Sequence, residues 1–340
     1  MKLPSKKMIY WTLIGLAILV LAYFFVGWPR LTKNAQYGIT WSKPYAESLG
    51  LDSQQGLTVM LKDVGVQKLR LPAYWSLLEK TQGQFDFSWL DAQLGLAQQY
   101  GGHVTLALGA RLPRWPECWT PDWVTSLSPA ERRAAQLEYI RQVYNHYSEH
   151  PAIERWQIEN EASFTFFASC PGLTKDLINE EITLVRGLEQ SRPMNQQRPV
   201  ITTDSGEWST WLSFAGKIDG KGVSVYRRVT NPWIGIISYW FIPPWFYQRK
   251  AMLAQSFVGD ILVSEFQMEP WADVSLPKLD NPTLFQTLDL KQMQSNLWYA
   301  EHMGFKEVYF WGAEWWLWMK ENRDQPQFMD AMTQFFHSKR

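Results

Sequence analysis

Little in this chain suits metal or redox chemistry. Its 340 residues include only two cysteines, Cys118 and Cys170, and five histidines. Neither cysteine stands in a metal-ligand spacing, and His103, His146, His150, His302 and His337 form no HxxxH or HxH cluster, so the sequence offers no zinc site and implies no cofactor. The same scatter disfavours a histidine-based nucleophilic triad. An excess of one charge is also missing: Lys plus Arg and Asp plus Glu both number 33, giving a net charge of zero. That balance lacks the basic footprint of a nucleic-acid surface and favours a neutral ligand. There is no internal repeat and no Pro/Ser-rich linker to mark a second domain. With 46% hydrophobic and 19% charged residues, the composition orders and buries a large core.

One long apolar run is present. Met8 to Trp28 carries no charge over 21 positions, and as a helix it spans roughly 31 Å, matching a hydrocarbon core of about 30 Å. Lys2, Lys6 and Lys7 precede it while Arg30 and Lys33 follow, a modest bias toward a cytoplasmic N-terminus. A cleaved signal peptide has a shorter apolar stretch and small residues at its cleavage site, whereas this run ends in Phe24, Phe25, Val26 and Trp28. The expectation is a single-pass membrane protein with an uncleaved signal anchor: a cytoplasmic tail over 1–7, a transmembrane helix over 8–28, a linker over 29–35 and an extracytoplasmic catalytic unit over 36–340. In that compartment Cys118 and Cys170 are candidates for one disulfide and equally for two unrelated thiols, because sequence alone cannot place their Cα atoms.

Beyond the anchor, short apolar runs alternate with segments of helical period. The runs Gln36–Trp41, Val66–Leu71, Val104–Ala110, Ile153–Ile158, Val200–Thr203, Gly222–Tyr226, Ile261–Glu265 and Glu307–Trp311 read as eight buried strands. Leu57, Met60, Leu61 and Val64, then Leu137, Ile140, Tyr144 and Tyr147, then Ile178, Ile182 and Val185, and finally Phe328, Met332 and Phe335 are helical stripes. Ser128-Pro129-Ala130-Glu131 reads as a capping box with proline at the first helical position. Eight strand-helix units imply an α/β chain closed as a (β/α)₈ TIM barrel. Between the fifth and sixth strands there is room for one short helix, around Trp211–Lys217. Pro232–Tyr247 fits no unit: it is uncharged and holds seven aromatics. It reads as a ligand platform, a patch that dips into the membrane, or a lid with its own small core.

In such a barrel the reactive groups project from the C-terminal ends of the strands. Those ends offer Trp41, Arg70 and Tyr74, Arg111, Glu159 with Asn160 and Glu161, Asp204 and Glu207, Tyr226 and Arg227, Glu265 and Gln267, and Trp311 and Glu314. No lysine is among them, which disfavours Schiff-base chemistry. Carboxylates on the fourth and seventh strands face each other across the mouth, as glycoside hydrolysis requires: one protonates the leaving oxygen and the other attacks the anomeric carbon. The 20 tryptophans agree, since flat indole faces stack on sugar rings, although aromatics are ordinary core residues too. Glu159 and Glu161 share strand parity, so the residues alone leave either as the inward carboxylate. Asp204, Glu207 and Glu314 read as solvated loop charges. Arg227 and Arg228 form a surface pair, or meet a lipid head group or an acidic sugar.

Trp156-Gln157-Ile158-Glu159-Asn160-Glu161-Ala162 closing the fourth strand resembles the Asn-Glu signature of the clan A glycoside hydrolases, the (β/α)₈ superfamily of cellulases, xylanases, β-xylosidases and β-galactosidases. Val263-Ser264-Glu265-Phe266 is similar to the clan's second signature. The resemblance implies Glu161 as acid/base, Glu265 as nucleophile and Asn160 as a ligand for the sugar 2-hydroxyl. It also aligns Arg70, Tyr226 and Trp311 with the clan's arginine, tyrosine and barrel-end tryptophan. Trp41, Trp311 and Trp315 would wall the donor-sugar pocket, with Tyr74 a further substrate contact. Arg70 and the Tyr226 hydroxyl would favour an ionised Glu265, and a less polar setting would keep Glu161 protonated. Ser224 stands where the cellulase branch carries histidine, and Ala162 where proline is common, which points away from that branch and toward β-xylosidase-like or unassigned relatives.

The implied function is a membrane-anchored retaining glycosidase acting on a β-linked oligo- or polysaccharide. A transglycosylase or polysaccharide assembly factor using the same carboxylates, and a non-catalytic saccharide-binding barrel, remain as alternatives.

Overall fold

The computed structural model describes residues 6–161, 163, 170–231, 233–272 and 274–339. Ala162 and Pro232, each singled out in the sequence, lie outside the described residues. Eight strands close into a barrel: β1 (Gln36–Thr40), β2 (Lys68–Pro72), β3 (His103–Leu108), β4 (Ile153–Ile158), β5 (Val200–Ser205), β6 (Gly220–Val225), β9 (Asp260–Gln267) and β10 (Glu307–Trp311). The order around it is β1-β10-β9-β6-β5-β4-β3-β2, and every neighbouring pair is parallel. Two further strands, β7 (Arg228–Asn231) and β8 (Gly235–Ser238), form an antiparallel hairpin outside it.

The barrel is a filled core, as side chains from non-neighbouring strands show. Ile201 of β5 clusters with Leu262 of β9 and Tyr309 of β10, which only an interior position allows. The Tyr309 hydroxyl lies 3.2 Å from Thr105 Oγ1 of β3, while Arg155 donates to Glu307 at 2.8 Å. Polar groups that a parallel barrel cannot expose thus satisfy one another.

Outside the barrel stands α1 (Lys6–Phe25), and around the strands run α2 (Ser53–Val59), α3 (Ser88–Gln99), α4 (Pro129–Tyr147), α5 (Lys175–Gln190), α6 (Pro244–Val258), α7 (Leu290–Glu301), α8 (Ala313–Asn322) and α9 (Gln327–Ser338). At α4 the Ser128 side chain accepts from Glu131 N, and Glu131 reaches back to Ser128 N at 2.9 Å, completing the capping box that the sequence encodes. The apolar stripe of α5 buries Ile178, Ile182 and Val185.

Two expectations are corrected. Residues 206–219 form turns and no helix, so β5 passes to β6 without the short helix expected over Trp211–Lys217. Trp211 and Phe214 take φ of 68° and 60°, conformations a helix cannot hold. Trp211 is nonetheless buried and donates to Ser205 O at 3.1 Å, so a single indole supplies the missing cover. The aromatic segment does not form one self-packed lid either. Tyr239, Ile242 and Tyr247 are buried, whereas Trp233 and Trp240 are 90% and 79% exposed.

Among the described residues, α1 is the one helix long and apolar enough to cross a membrane, and none of it is buried inside the protein. Its end touches the barrel through α6. Phe24 and Phe25 pack on Phe246 at ring distances of 5.3 and 5.5 Å, and Arg249 lies over the Tyr23 ring.

Candidate functional site

The C-terminal end of β4 carries three consecutive polar residues with three different destinations. Glu159, at φ 55°, turns its carboxylate back under the β3 end, where Ala110 N and Arg111 N donate at 2.8 and 2.6 Å. The carboxylate presses so closely on Gly109, at φ 132°, that a Cβ there would overlap it. Glu159 is fully buried and shares Gln136 with Glu181 of α5. Burial pushes its carboxyl up to about 7 against those backbone donors. Glu159 therefore locks the strand end to its neighbours.

Asn160 and Glu161 open toward the mouth. Asn160 Oδ1 accepts from Arg70 Nη2 at 2.6 Å and from Thr203 Oγ1 at 3.0 Å, which fixes the amide with its nitrogen as the remaining donor. Glu161, at φ 45°, is held through its backbone: its N donates to Thr203 Oγ1 at 2.8 Å, and its carbonyl accepts from Arg111 Nη1 at 3.1 Å. Positive φ at a non-glycine residue is strained, and here the surrounding bonds maintain it.

Glu265 sits across the barrel, near the end of β9. Arg70 Nη1 lies 2.7 Å from Glu265 Oε1, and the Tyr226 hydroxyl donates to Oε2 at 2.7 Å. Arg70 also donates to Gln157 Oε1 at 2.7 Å, so this one guanidinium ties β2, β4 and β9 into a rigid floor. The β6–β9 register slips just before Ser224 pairs with Glu265, a bulge that places the Ser224 hydroxyl 2.6 Å from Glu161 Oε1. The serine that departs from the histidine pattern thus contacts Glu161 directly.

The two glutamates meet contrasting surroundings. Glu161 is pushed up to about 8, first by burial and then by the negative charge of Glu265, with the Ser224 hydrogen bond opposing. Glu265 receives a cation and a phenol. One carboxyl is thereby set to hold its proton near neutrality, and the other has two donors for its charge.

Several groups that the sequence placed differently, or passed over, complete the mouth. Glu314 is fully buried, not a solvated loop charge; it accepts from Ser42 N and Arg114 Nη2, both at 2.6 Å. Arg114 also pairs with the buried Glu269. Its guanidinium is sandwiched 3.8 Å from the Tyr45 ring and 3.9 Å from the Trp311 ring. Trp311, half-buried at the barrel end, is thus fixed by an arginine the sequence did not single out. Asp204, also fully buried, pairs with Lys221 at 3.2 Å, and Glu207 accepts from the Tyr247 hydroxyl at 2.5 Å; neither is a solvated charge. The loop after β3 also brings Glu117 to Arg111 at 2.8 Å. Beside it Cys118 is bonded to Cys170, with Cα atoms 5.2 Å apart.

Three aromatics expected in the sugar pocket lie elsewhere. Trp41 is wholly buried and donates to Ser53 Oγ at 3.2 Å at the start of α2. Tyr74 is buried between Trp119 and Trp89, its hydroxyl 2.7 Å from Ser42 and donating to Pro113 O. Trp315 points into the core against Phe328.

Residues 52–176, which include Arg70, Asn160 and Glu161, match a family model described as beta-galactosidase. A beta-galactosidase from an Arthrobacter species is 31% identical over 120 residues, covering 30% of this chain and 17% of that protein. Beta-galactosidase BgaA of Clostridium cellulovorans is 24% identical over 184 residues, 48% of this chain and 27% of its own. The chain thus aligns with well under a third of either curated relative. In fold, the beta-galactosidase of Marinomonas ef1 superposes with a TM-score of 0.52 at 15% identity, covering 81% of this chain and 53% of that one. GH5_18 from Streptomyces cattleya, solved with GlcNAc, gives 0.56 at 12% identity, covering 83% and 71%. The partial family match, the beta-galactosidase relatives and the closed parallel barrel agree in making the chain similar to the clan A glycoside hydrolases, and they support a glycosidase.

Proposed function

We propose that the chain is a membrane-anchored retaining glycosidase that cleaves a β-linked sugar, with Glu265 as nucleophile and Glu161 as acid/base. The observation that carries this reading is the contrast between the two carboxyls: Glu161 is held protonated by burial and by Glu265, while Glu265 is held by Arg70 and Tyr226. Retaining chemistry sets such groups about 5 to 5.5 Å apart, and Ser224, which bonds Glu161 through its hydroxyl and pairs with Glu265 in the strand register, links the two positions.

In the first step Glu265 attacks the anomeric carbon while Glu161 gives its proton to the leaving oxygen. Bonding the sugar removes the Glu265 charge. The repulsion that holds Glu161 protonated then disappears, so Glu161 becomes a better base for the incoming water. The same pair of residues thereby serves both half-reactions. Asn160, aimed by Arg70 and Thr203, offers its amide N–H to the sugar 2-hydroxyl, and Trp311, fixed by Arg114, offers a half-buried indole at the barrel end.

The names of the relatives make β-galactosides the first substrates to try, and α1 accounts for attachment to a membrane. The test is hydrolysis of an aryl β-glycoside panel by the full chain in mild detergent. Glu161→Gln and Glu265→Gln should each lower kcat by about 10² to 10⁴. Azide should restore turnover to Glu265→Gly with inverted product. Unchanged activity in Glu265→Gln would refute the assignment.

A further inference from the structure

We infer that a cavity beside the end of α1 is a site for the phosphate headgroup of an anionic membrane lipid. The cavity measures about 450 Å³ and lies between Pro29, the β7–β8 hairpin, the start of α6 and the exposed face of α7. That volume accommodates a glycerophosphate group. Arg227 and Arg228 both line it, and its lining contains no Asp or Glu. Arg227 is held in place, its guanidinium 3.9 Å from the Tyr299 ring and donating to Ile242 O at 3.2 Å.

Arg228 is different. Its backbone is pinned by Gln267, which accepts from its N at 2.8 Å and donates to its O at 2.6 Å. Its guanidinium has no hydrogen-bond or ion-pair partner among the described residues. A preset backbone carrying an unpaired, half-buried guanidinium suits an arriving phosphate, which takes arginine in bidentate fashion. The N-terminus of α6 reaches the same wall through Pro243 and Pro244 and has no side-chain cap, which adds positive partial charge.

Position selects a lipid over a free anion. Pro29 of the wall lies four residues beyond the end of α1, and a Cβ on Gly27 would come within 3.0 Å of Trp245, another wall residue. The rim carries Trp240 and Trp298, 79% and 46% exposed, with the exposed Trp233 and Ile234 on the adjoining hairpin and Phe241 in the turn after it. Exposed indoles beside basic residues at the exit of an apolar helix form the pattern of a membrane-water interface. The hairpin thus meets the bilayer surface where α1 leaves it, and the two arginines receive a headgroup there.

This inference rests on the anchoring proposed above, and the two can be tested apart. Alkaline carbonate extraction of membranes reports the anchor alone. For the site, the full chain in neutral detergent is titrated with short-chain phosphatidylglycerol, phosphatidylcholine and inorganic phosphate, with native mass spectrometry counting bound lipid. One phosphatidylglycerol should bind saturably. Arg228→Glu and Ser295→Glu, the second adding charge to an exposed wall position, should each weaken binding by about tenfold or more. Thermal melts of both variants should match the parent chain, separating lost binding from lost folding. Equal binding by parent and variants, or by phosphatidylcholine, overturns the site. Inorganic phosphate binding as tightly as the lipid overturns the lipid assignment in favour of a free-anion pocket. A chain washed off by carbonate overturns the anchor whatever the titration gives.

Discussion

Replacing Glu161 by glutamine should stabilise the fold while removing turnover. Burial and the Glu265 charge raise this carboxyl from 4.5 to about 8. The folded chain therefore keeps a proton that the unfolded chain has lost across that interval. For a raised pKa the group's stabilising contribution is complete below pH 4.5 and is lost as pH rises through 8. At pH 7 the unfolded side chain is ionised by about 2.5 units, each worth about 1.36 kcal/mol, so the native carboxyl costs about 3 kcal/mol. The side chain is only 13% exposed, which leaves little solvent screening to discount. Glutamine carries no such cost and still accepts from Ser224. Urea unfolding of the full chain in detergent, followed by tryptophan fluorescence, should show Glu161→Gln more stable by up to about 3 kcal/mol at pH 7, with the gap growing to a plateau above pH 8 and closing below pH 4.5. A gap between variant and parent no larger at pH 7 than at pH 4 would refute the electrostatic account of this residue.

Two further outcomes follow from the same geometry. Ser224→Ala removes the hydrogen bond that opposes the rise of Glu161, so the basic limb of kcat/KM against pH should move to higher pH; a limb that stays put or moves down would show that Ser224 does not tune the acid. Arg114→Ala leaves Glu269 and Glu314 buried without their shared cation and should cost about 3 to 5 kcal/mol in unfolding experiments at pH 7. The loss should shrink at pH 5, where Glu314, pushed up to about 7 mainly by burial, takes a proton in either protein; a loss under about 1 kcal/mol would remove Arg114 from its proposed place in the scaffold.

Local pattern carried much of the barrel. β4 and β10 begin and end where the apolar runs do, and the capping box starts α4 at Pro129, because each depends on neighbours within a few residues. The empty span between β5 and β6 was visible as a shortage of chain; that Trp211 fills it depends on its contact with Ser205 and the φ it adopts. Within the candidate site, motif order brought out Arg70, Asn160, Glu161, Tyr226 and Glu265, which the fold gathers at one end of the barrel. Parity could not separate Glu159 from Glu161, since positive φ at both positions breaks the alternation it relies on. Nor could it show which way Trp41 and Tyr74 turn once the strand has ended. The Arg114–Glu269–Glu314 cluster joins residues 155 and 200 positions apart, a separation no window-based reading spans.

If α1 anchors the chain as proposed, its docking on α6 would also govern how substrate and enzyme meet. β6 ends at the mouth, α6 begins there, and Phe24 and Phe25 grip Phe246 at that level. With α1 in a bilayer, the barrel would be held at a set height and tilt, with no slack tether to let it roam. Its catalytic pair would then sweep a thin layer along the membrane plane, so saccharides confined to that layer would encounter it by two-dimensional diffusion, and chains free in bulk solution would meet it far less often.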